Sequence, residues 1–330
     1  MTQSKPKLSV YWASSCGGCE IAVVNLHERL LDLDANFDLV FCPCLMDTKK
    51  HDVESMADGS IAVTLFNGAI RTEENEEMAR LLRKKSQLLV AFGACSSGGG
   101  IPALSNFHTK ADHFRSIYLE NPTIDNAAQV IPQPLTQVPE GTLHLPVFFE
   151  KVKTLADVVS VDYFMPGCPP EPHQIWNVIE ALASGRPLPP KGSVIGAGTS
   201  SVCNECSRVR SNKKIKKFYR TFEMEPDPVQ CLLEQGIVCM GIATRDGCRA
   251  PCPKANMPCI GCYGPPEGVS DQGAKMVSAI GSILDVGDYK GLTPEQLTER
   301  VEAVLNSIPD GAGTYYRFSA ASSILSGRTE

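Results

Sequence analysis

Eight of the chain's fourteen cysteines fall in one run, Cys203-x2-Cys206-x24-Cys231-x7-Cys239-x8-Cys248-x3-Cys252-x6-Cys259-x2-Cys262. Packing has no use for so many sulfurs in so short a stretch, so their chemistry must explain them. Three chemistries use such a pattern. Disulfides suit an exported chain, and Met1–Leu8 has neither a signal-peptide pattern nor a twin-arginine leader. Zinc suits the two C-x2-C pairs, which are common halves of a structural zinc site. Iron–sulfur clusters suit the closing stretch, where close cysteines lie on irregular backbone and Pro253 follows Cys252. The spacing favours clusters, with zinc as the alternative.

Four further cysteines, Cys16, Cys19, Cys95 and Cys168, are far apart in sequence and need a fold to bring them together. The predicted strands supply one. Leu8–Ser14 is rich in β-formers and runs into Ser15-Cys16-Gly17-Gly18-Cys19-Glu20, after which Ile21, Val24, Leu26, Leu30 and Leu31 recur at helical spacing. Further strands are expected at Phe37–Leu45, Ile61–Phe66, Gln87–Phe92 and Val158–Phe164. Helices are expected at Glu73–Lys85, acidic first and basic last as the helix dipole favours, and at Pro172–Ser184, bounded by a leading proline and Gly185. Cys16, Cys19, Cys95 and Cys168 then each follow the C-terminal end of a parallel strand, and those ends open on one edge of the sheet. Four thiolates meeting there suit one cluster. The glycines around them let backbone N–H groups approach the sulfurs. A phosphate loop is the rival reading, but neither G-x-x-x-x-G-K-[ST] nor G-x-G-x-x-G is present. Cys42 and Cys44, flanking Pro43 at a strand end, are left over and read as reduced thiols near the core.

The remaining chain is less regular. Residues 101–156 carry scattered prolines and read as a surface excursion, with helix near Phe148–Leu155. Arg186–Ser200 is rich in proline, glycine and serine and reads as a linker. Beyond the cysteine-rich run, helices are expected near Gln272–Leu284 and Pro294–Ser307, followed by an aromatic tail, Tyr315-Tyr316-Arg317-Phe318. The expected architecture is α/β: a parallel-sheet domain over 1–185, a linker over 186–200 and an irregular cysteine-rich domain over 201–330. A length of 330 residues suits about two domains. The net charge of −6 argues against a nucleic-acid partner. The one basic cluster, Lys213–Lys217, reads as a solvated face that could also balance an anionic cluster or dock a partner. No apolar run approaches the ~20 residues of a membrane span. Many free thiols without a leader point to the cytoplasm. The six histidines carry no ligand spacing.

The motifs Ser15-Cys16-Gly-Gly-Cys19-Glu20, Gly93-Ala-Cys95-Ser-Ser-Gly-Gly-Gly-Ile-Pro102 and Pro166-Gly-Cys168-Pro-Pro170 resemble the small, electron-transferring subunit of [NiFe] hydrogenases. The C-terminal strings CLLEQGIVCMGIATRDGC, KANMPCIGCYGPPEG and GTYYRFSAASSIL extend the resemblance over nearly the whole chain. The similarity is closest to the cytoplasmic branch that does not reduce the deazaflavin coenzyme. It implies a flavodoxin-like first domain and three 4Fe-4S clusters. The proximal cluster would be held by Cys16, Cys19, Cys95 and Cys168, the distal by Cys203, Cys206, Cys231 and Cys239, and the medial by Cys248, Cys252, Cys259 and Cys262. Cys203 stands where the periplasmic branch has histidine, and Cys252 where it has proline. The resemblance also implies a large-subunit partner carrying the NiFe centre, and an iron–sulfur or flavin acceptor subunit of the delta or heterodisulfide reductase type. Glu20 is implied as a proton-route candidate, against its plain reading as a first-turn acid at a helix N-terminus. No nucleophile set or acid–base pair marks a catalytic centre in this chain. Deazaflavin-reducing hydrogenases and sulfhydrogenases are the neighbouring alternatives, and a zinc-stabilised scaffold the non-redox one.

Overall fold

The computed structural model describes residues 5–326. The chain forms two compact units: residues up to 196 together with the tail from Phe318, and residues 197–317.

Among the described residues, the first unit contains nine strands: β1 Lys7–Trp12, β2 Asp38–Phe41, β3 Ile61–Asn67, β4 Ile70–Thr72, β5 Ser86–Phe92, β6 Leu135–Val138, β7 Gly141–His144, β8 Phe148–Lys153 and β9 Tyr163–Met165. Five of them make one parallel sheet in the order β2-β1-β3-β5-β9. Numbered within the sheet this is the 2-1-3-4-5 order of doubly wound, flavodoxin-like folds. A parallel sheet must be covered on both faces, and its strands read accordingly as unbroken apolar runs. Central β3, IAVTLFN, is buried at six of its seven positions. Its Val63 and Leu65 enter one core with Val10, Phe92, Met165 and Ile175, while Ile61 and Phe66 enter the opposite core with Met78, Leu82 and Leu89. Each such side chain contributes about 1.5–3 kcal/mol by leaving water.

The helix Glu73–Lys85 has the bounds the sequence predicts. Thr72 Oγ1 accepts from the Asn75 amide while Asn75 Oδ1 accepts from the Thr72 amide, a reciprocal cap that fixes the start. The helix after β9 spans Pro172–Ala183, and Ile175, Val178 and Ile179 form its buried stripe.

Residues 148–155 correct the expectation of a helix. Phe148–Lys153 is a strand paired antiparallel with β4, with Thr72 opposite Phe148 and Ile70 opposite Lys153. Asn106 clamps it, its side chain accepting from the Val152 amide at 2.8 Å and donating to the Val152 carbonyl at 2.9 Å. A buried side-chain amide thus supplies ladder bonds that no local pattern announces. The expected strand Val158–Phe164 shortens to Tyr163–Met165, and β6–β7 is an exposed hairpin within the surface excursion.

The expected linker is partly built into the sheet domain. Val194 bridges Phe164, and Ile195 is only 5% exposed in the core. The tail also belongs to the first unit. Phe318 O lies where a Cβ on Gly98 would stand 2.6 Å away, and Ala321 lies against Gly99.

The second unit is mostly irregular. Its helices Gln272–Ile283 and Pro294–Leu305 pack Met276, Ile280 and Val304 into a core with Val202, Phe218 and Met240. In the basic segment Ile215 is buried and its amide bonds the Ile283 carbonyl, so the neighbouring lysines face outward around an apolar anchor. Among the described residues no helix is long and apolar enough to cross a membrane.

Candidate metal centres

Three loops at the C-terminal edge of the parallel sheet carry the first four cysteines. After β1, the Trp12 indole donates to the Ser15 carbonyl at 3.2 Å, and Gly17 adopts a φ of 81° before the helix that begins at Gly18. After β5, Cys95 sits in the short helix Ala94–Gly98, and after β9, Cys168 precedes Pro169 across a cis peptide. Two backbone bonds lock the second loop to the third: Gly93 N donates to Met165 O at 2.8 Å, and Ala94 N to Gly167 O at 2.7 Å. The loops are therefore placed by the sheet and, for the second and third, by bonds to each other.

This placement brings the four thiols together. Burial pushes the Cys19 thiol above its ordinary range, and the neighbouring Glu20, Cys95, Cys168 and Cys16 push it further. Burial raises Cys95 to about 12, with Cys168, Cys16 and Glu20 adding to it. Cys168 is raised by burial and by Cys16. Two glycines make the approach possible. A Cβ at Gly93, where φ is +90°, would stand 2.5 Å from Cys19 Sγ, and one at Gly100, where φ is +58°, would stand 2.5 Å from Cys95 Sγ.

Glu20 is buried beside this set. Burial raises its carboxyl pKa, opposed by the Asn67 amide, whose Nδ2 lies 2.9 and 2.8 Å from the two carboxylate oxygens. The same nitrogen is 2.8 Å from Ser15 Oγ. Asn67 ends β3, and the sequence does not single it out, since a lone asparagine at a strand end reads as a turn residue.

In the second unit Cys203, Cys206, Cys231 and Cys239 associate. Cys203 is raised by burial and by Cys231 and Cys206, and Arg210 pulls the other way. Burial raises Cys239 to about 12 against hydrogen bonds from the Gly241 and Cys259 amides, with Cys203 and Cys231 adding to the rise. The sulfurs of Cys203 and Cys239 both face Gly241, 3.4 and 3.7 Å from where its Cβ would be. The last four neighbour one another and the preceding set. Cys248 is raised by burial, with Cys252 among the lesser causes, and Cys259 is raised by burial and by Cys239 and Cys262. The Cys259 amide donates to Cys239 Sγ at 3.3 Å, so the two sets share a hydrogen bond.

Arg208 clasps this module, and no spacing in the sequence marks it. Its guanidinium donates to the carbonyls of Pro253 at 3.1 Å and of Asp227 and Gln230 at 2.8 Å, and to Asn256 Oδ1. It thereby ties the segments carrying Cys206, Cys231 and Cys252. Nearby, Arg249 and Ala250 adopt φ of 64° and 51°, left-handed conformations that non-glycine residues hold only when their surroundings impose them. Buried Gln272 holds the Gly261 carbonyl between Cys259 and Cys262 at 2.9 Å. Replacing Arg208 with alanine should destabilise the second unit by about 2–3 kcal/mol, from charged hydrogen bonds worth ~1.5–3 kcal/mol each that solvent partly replaces. Lysine should not rescue it, lacking the planar fork. Faster loss of bound metal to a chelator in both variants is the expected measurement.

Among the described residues no three His, Cys, Asp or Glu side chains stand close enough to hold a single metal ion. An open cavity of about 940 Å³ lies elsewhere in the first unit, between Phe114, Tyr118, Phe148 and Leu145, and no cysteine lines it.

The family model described as "NADH ubiquinone oxidoreductase, 20 Kd subunit" matches residues 16–182. The iron-sulfur subunit of the F420-non-reducing hydrogenase of Archaeoglobus profundus is 41% identical over 284 residues, covering 84% of this chain and 88% of that protein. The corresponding subunit of the F420-non-reducing hydrogenase of Methanothermobacter marburgensis is 34% identical over 324 residues, covering 97% and 96%. In structure, a chain of the H2-activated [NiFeSe]-hydrogenase of Dm. baculatum aligns with a TM-score of 0.52 at 20% identity, over 80% of this chain and 95% of that one, which is a likeness of fold. The chain belongs to the family of iron–sulfur subunits of F420-non-reducing hydrogenases, among the small subunits of [NiFe] hydrogenases.

Proposed function

We propose that this chain conducts electrons from H2 oxidation on a [NiFe] large subunit, through three 4Fe-4S clusters, to a cytoplasmic acceptor subunit of the delta or heterodisulfide reductase type. The observation that carries this reading is the meeting of Cys16, Cys19, Cys95 and Cys168, from three sheet-edge loops, as mutually interacting thiols, of which Cys19 and Cys95 are buried, Cys168 is half-buried and Cys16 is exposed. Such a set is unfavourable to ionise by itself and fits a group whose iron cations neutralise it.

Cys16, Cys19, Cys95 and Cys168 would hold the proximal cluster, Cys203, Cys206, Cys231 and Cys239 the distal, and Cys248, Cys252, Cys259 and Cys262 the medial. When bound, such clusters supply one-electron carriers whose potentials follow ligation, hydrogen bonds to sulfur and burial. The chain's own contribution is to fix the thiols, aim amides at sulfur, and exclude water. The Cys259 amide on Cys239 Sγ is one such contact. Glu20, held by Asn67 against the first set, is a proton-route residue in this reading.

Anaerobically purified protein should contain about twelve iron atoms, four for each set of four cysteines, and little zinc. Stoichiometric zinc with only traces of iron would overturn the cluster reading. Identifying the chains that copurify tests the large subunit and the acceptor together.

A further inference from the structure

Cys42 and Cys44 stand outside all three thiol sets, and they stand together. Their sulfurs are 3.9 Å apart, and Cys44 is the thiol that acts with burial to raise Cys42. They follow the C-terminal end of edge strand β2 in a turn closed by the Leu45 and Met46 amides, which donate to the Cys42 carbonyl at 2.9 and 3.0 Å. Pro43 between them fixes φ near −65° and narrows the turn's freedom. Two residues two positions apart span at most about 7 Å between Cα atoms, so the chain itself keeps this pair within bridging reach.

Their surroundings differ sharply. Cys42 is 1% exposed, in the same core as Leu8, Leu33 and Phe37, whereas Cys44 is exposed. A solvent-facing thiol with a sheltered partner at contact distance is the arrangement of an attacking and a resolving cysteine. We propose that Cys42 and Cys44 form a peroxide-reactive dithiol that closes reversibly to a disulfide, separate from the metal-binding thiols.

The step balances with hydrogen peroxide as oxidant. Cys44 Sγ attacks one peroxide oxygen, the O–O bond breaks, and the other oxygen leaves as water with the Cys44 proton. Cys42 Sγ then attacks the resulting sulfenic sulfur. The S–S bond forms as the S–O bond breaks, and the departing hydroxide takes the Cys42 proton as a second water. Two thiols lose two electrons, and one peroxide is reduced to two waters. A bridge across so small a ring is strained, and strained, exposed disulfides are the readily reduced, regulatory ones. The site is therefore a resettable mark on the protein, not a brace.

The test uses the cluster-loaded complex, treated anaerobically with graded hydrogen peroxide, quenched with an alkylating agent and mapped by mass spectrometry. The expected result is a peptide spanning 42–44 that is lighter by two hydrogens and unalkylated, at doses that leave iron content unchanged, and that dithiothreitol restores. C42A should stop at a Cys44 sulfenic acid trapped by dimedone, and C44S should leave Cys42 unmodified. A wild-type peptide still carrying two alkylated thiols at doses that already release iron would overturn the proposal. So would Cys44 sulfinic acid formed without the linked peptide. The wild-type arm decides the matter even if a variant fails to fold.

Discussion

If the sheet-edge thiols hold a cluster as proposed, Gly93→Ala is expected to abolish iron binding there while iron proposed for the second unit stays in place. Gly93 has φ of 90° and ψ of 169°, a region open essentially to glycine alone, so any side chain brings about 1–3 kcal/mol of strain. The added Cβ would also meet Cys19 Sγ at 2.5 Å, and relief would have to come from moving a thiol or the strand end. Neither can move alone, because the Gly93 and Ala94 amides are bonded to the loop that carries Cys168. The measurement is iron per chain together with H2-driven dye reduction by the complex. Roughly one third of the iron and nearly all of the activity should go, on the reading of three four-iron groups. Full iron and unchanged activity would show that Gly93 does not set this site.

Asp162→Ala is expected to cost about 3 kcal/mol of stability, the lower end of what removing one partner of a buried ion pair costs. Asp162 is 6% exposed, and its Oδ2 accepts from Arg83 at 2.5 Å and from the Leu89 amide at 2.7 Å, while Lys191 lies 2.7 Å from Oδ1. Burial pushes its pKa up, yet the bonds from Lys191, Arg83 and Leu89 outweigh it and hold the carboxyl below its usual range. Its stabilising contribution is thus whole above the ordinary carboxylate pKa of ~3.9 and fades as pH falls through the lower folded value. Denaturant unfolding at neutral pH should separate the two proteins, and the gap should narrow in acid. The variant should also loosen Cys168, since Asp162 starts the segment that docks β9 onto β5.

The first thiol set was legible because its signals are local and strong. A strand that ends in a glycine–cysteine turn announces both the backbone and where its thiol lies, and parallel strands share one open edge. The grouping of the second unit's cysteines was less so: its segments are irregular, and the clasp that unites them, Arg208, acts through carbonyls that any sequence supplies. Phe148–Leu155 misled because a short apolar run fits helix and strand alike, and its partner β4 lies far away in sequence. The docking of residues 318–326 was not readable either, since an aromatic tail names no destination.

That docking has a consequence for biogenesis. The loop bearing Cys95 is backed by Phe318 and Ala321, which emerge from the ribosome only after the entire second unit. At 5–20 residues per second, the sheet domain waits roughly 6–24 s for its last layer, with Gly98 and Gly99 uncovered. Any maturation machinery that loads iron at the sheet edge thus meets an incomplete wall during synthesis and a finished one afterwards. A C-terminal truncation upstream of Phe318 would hold the protein in that earlier state.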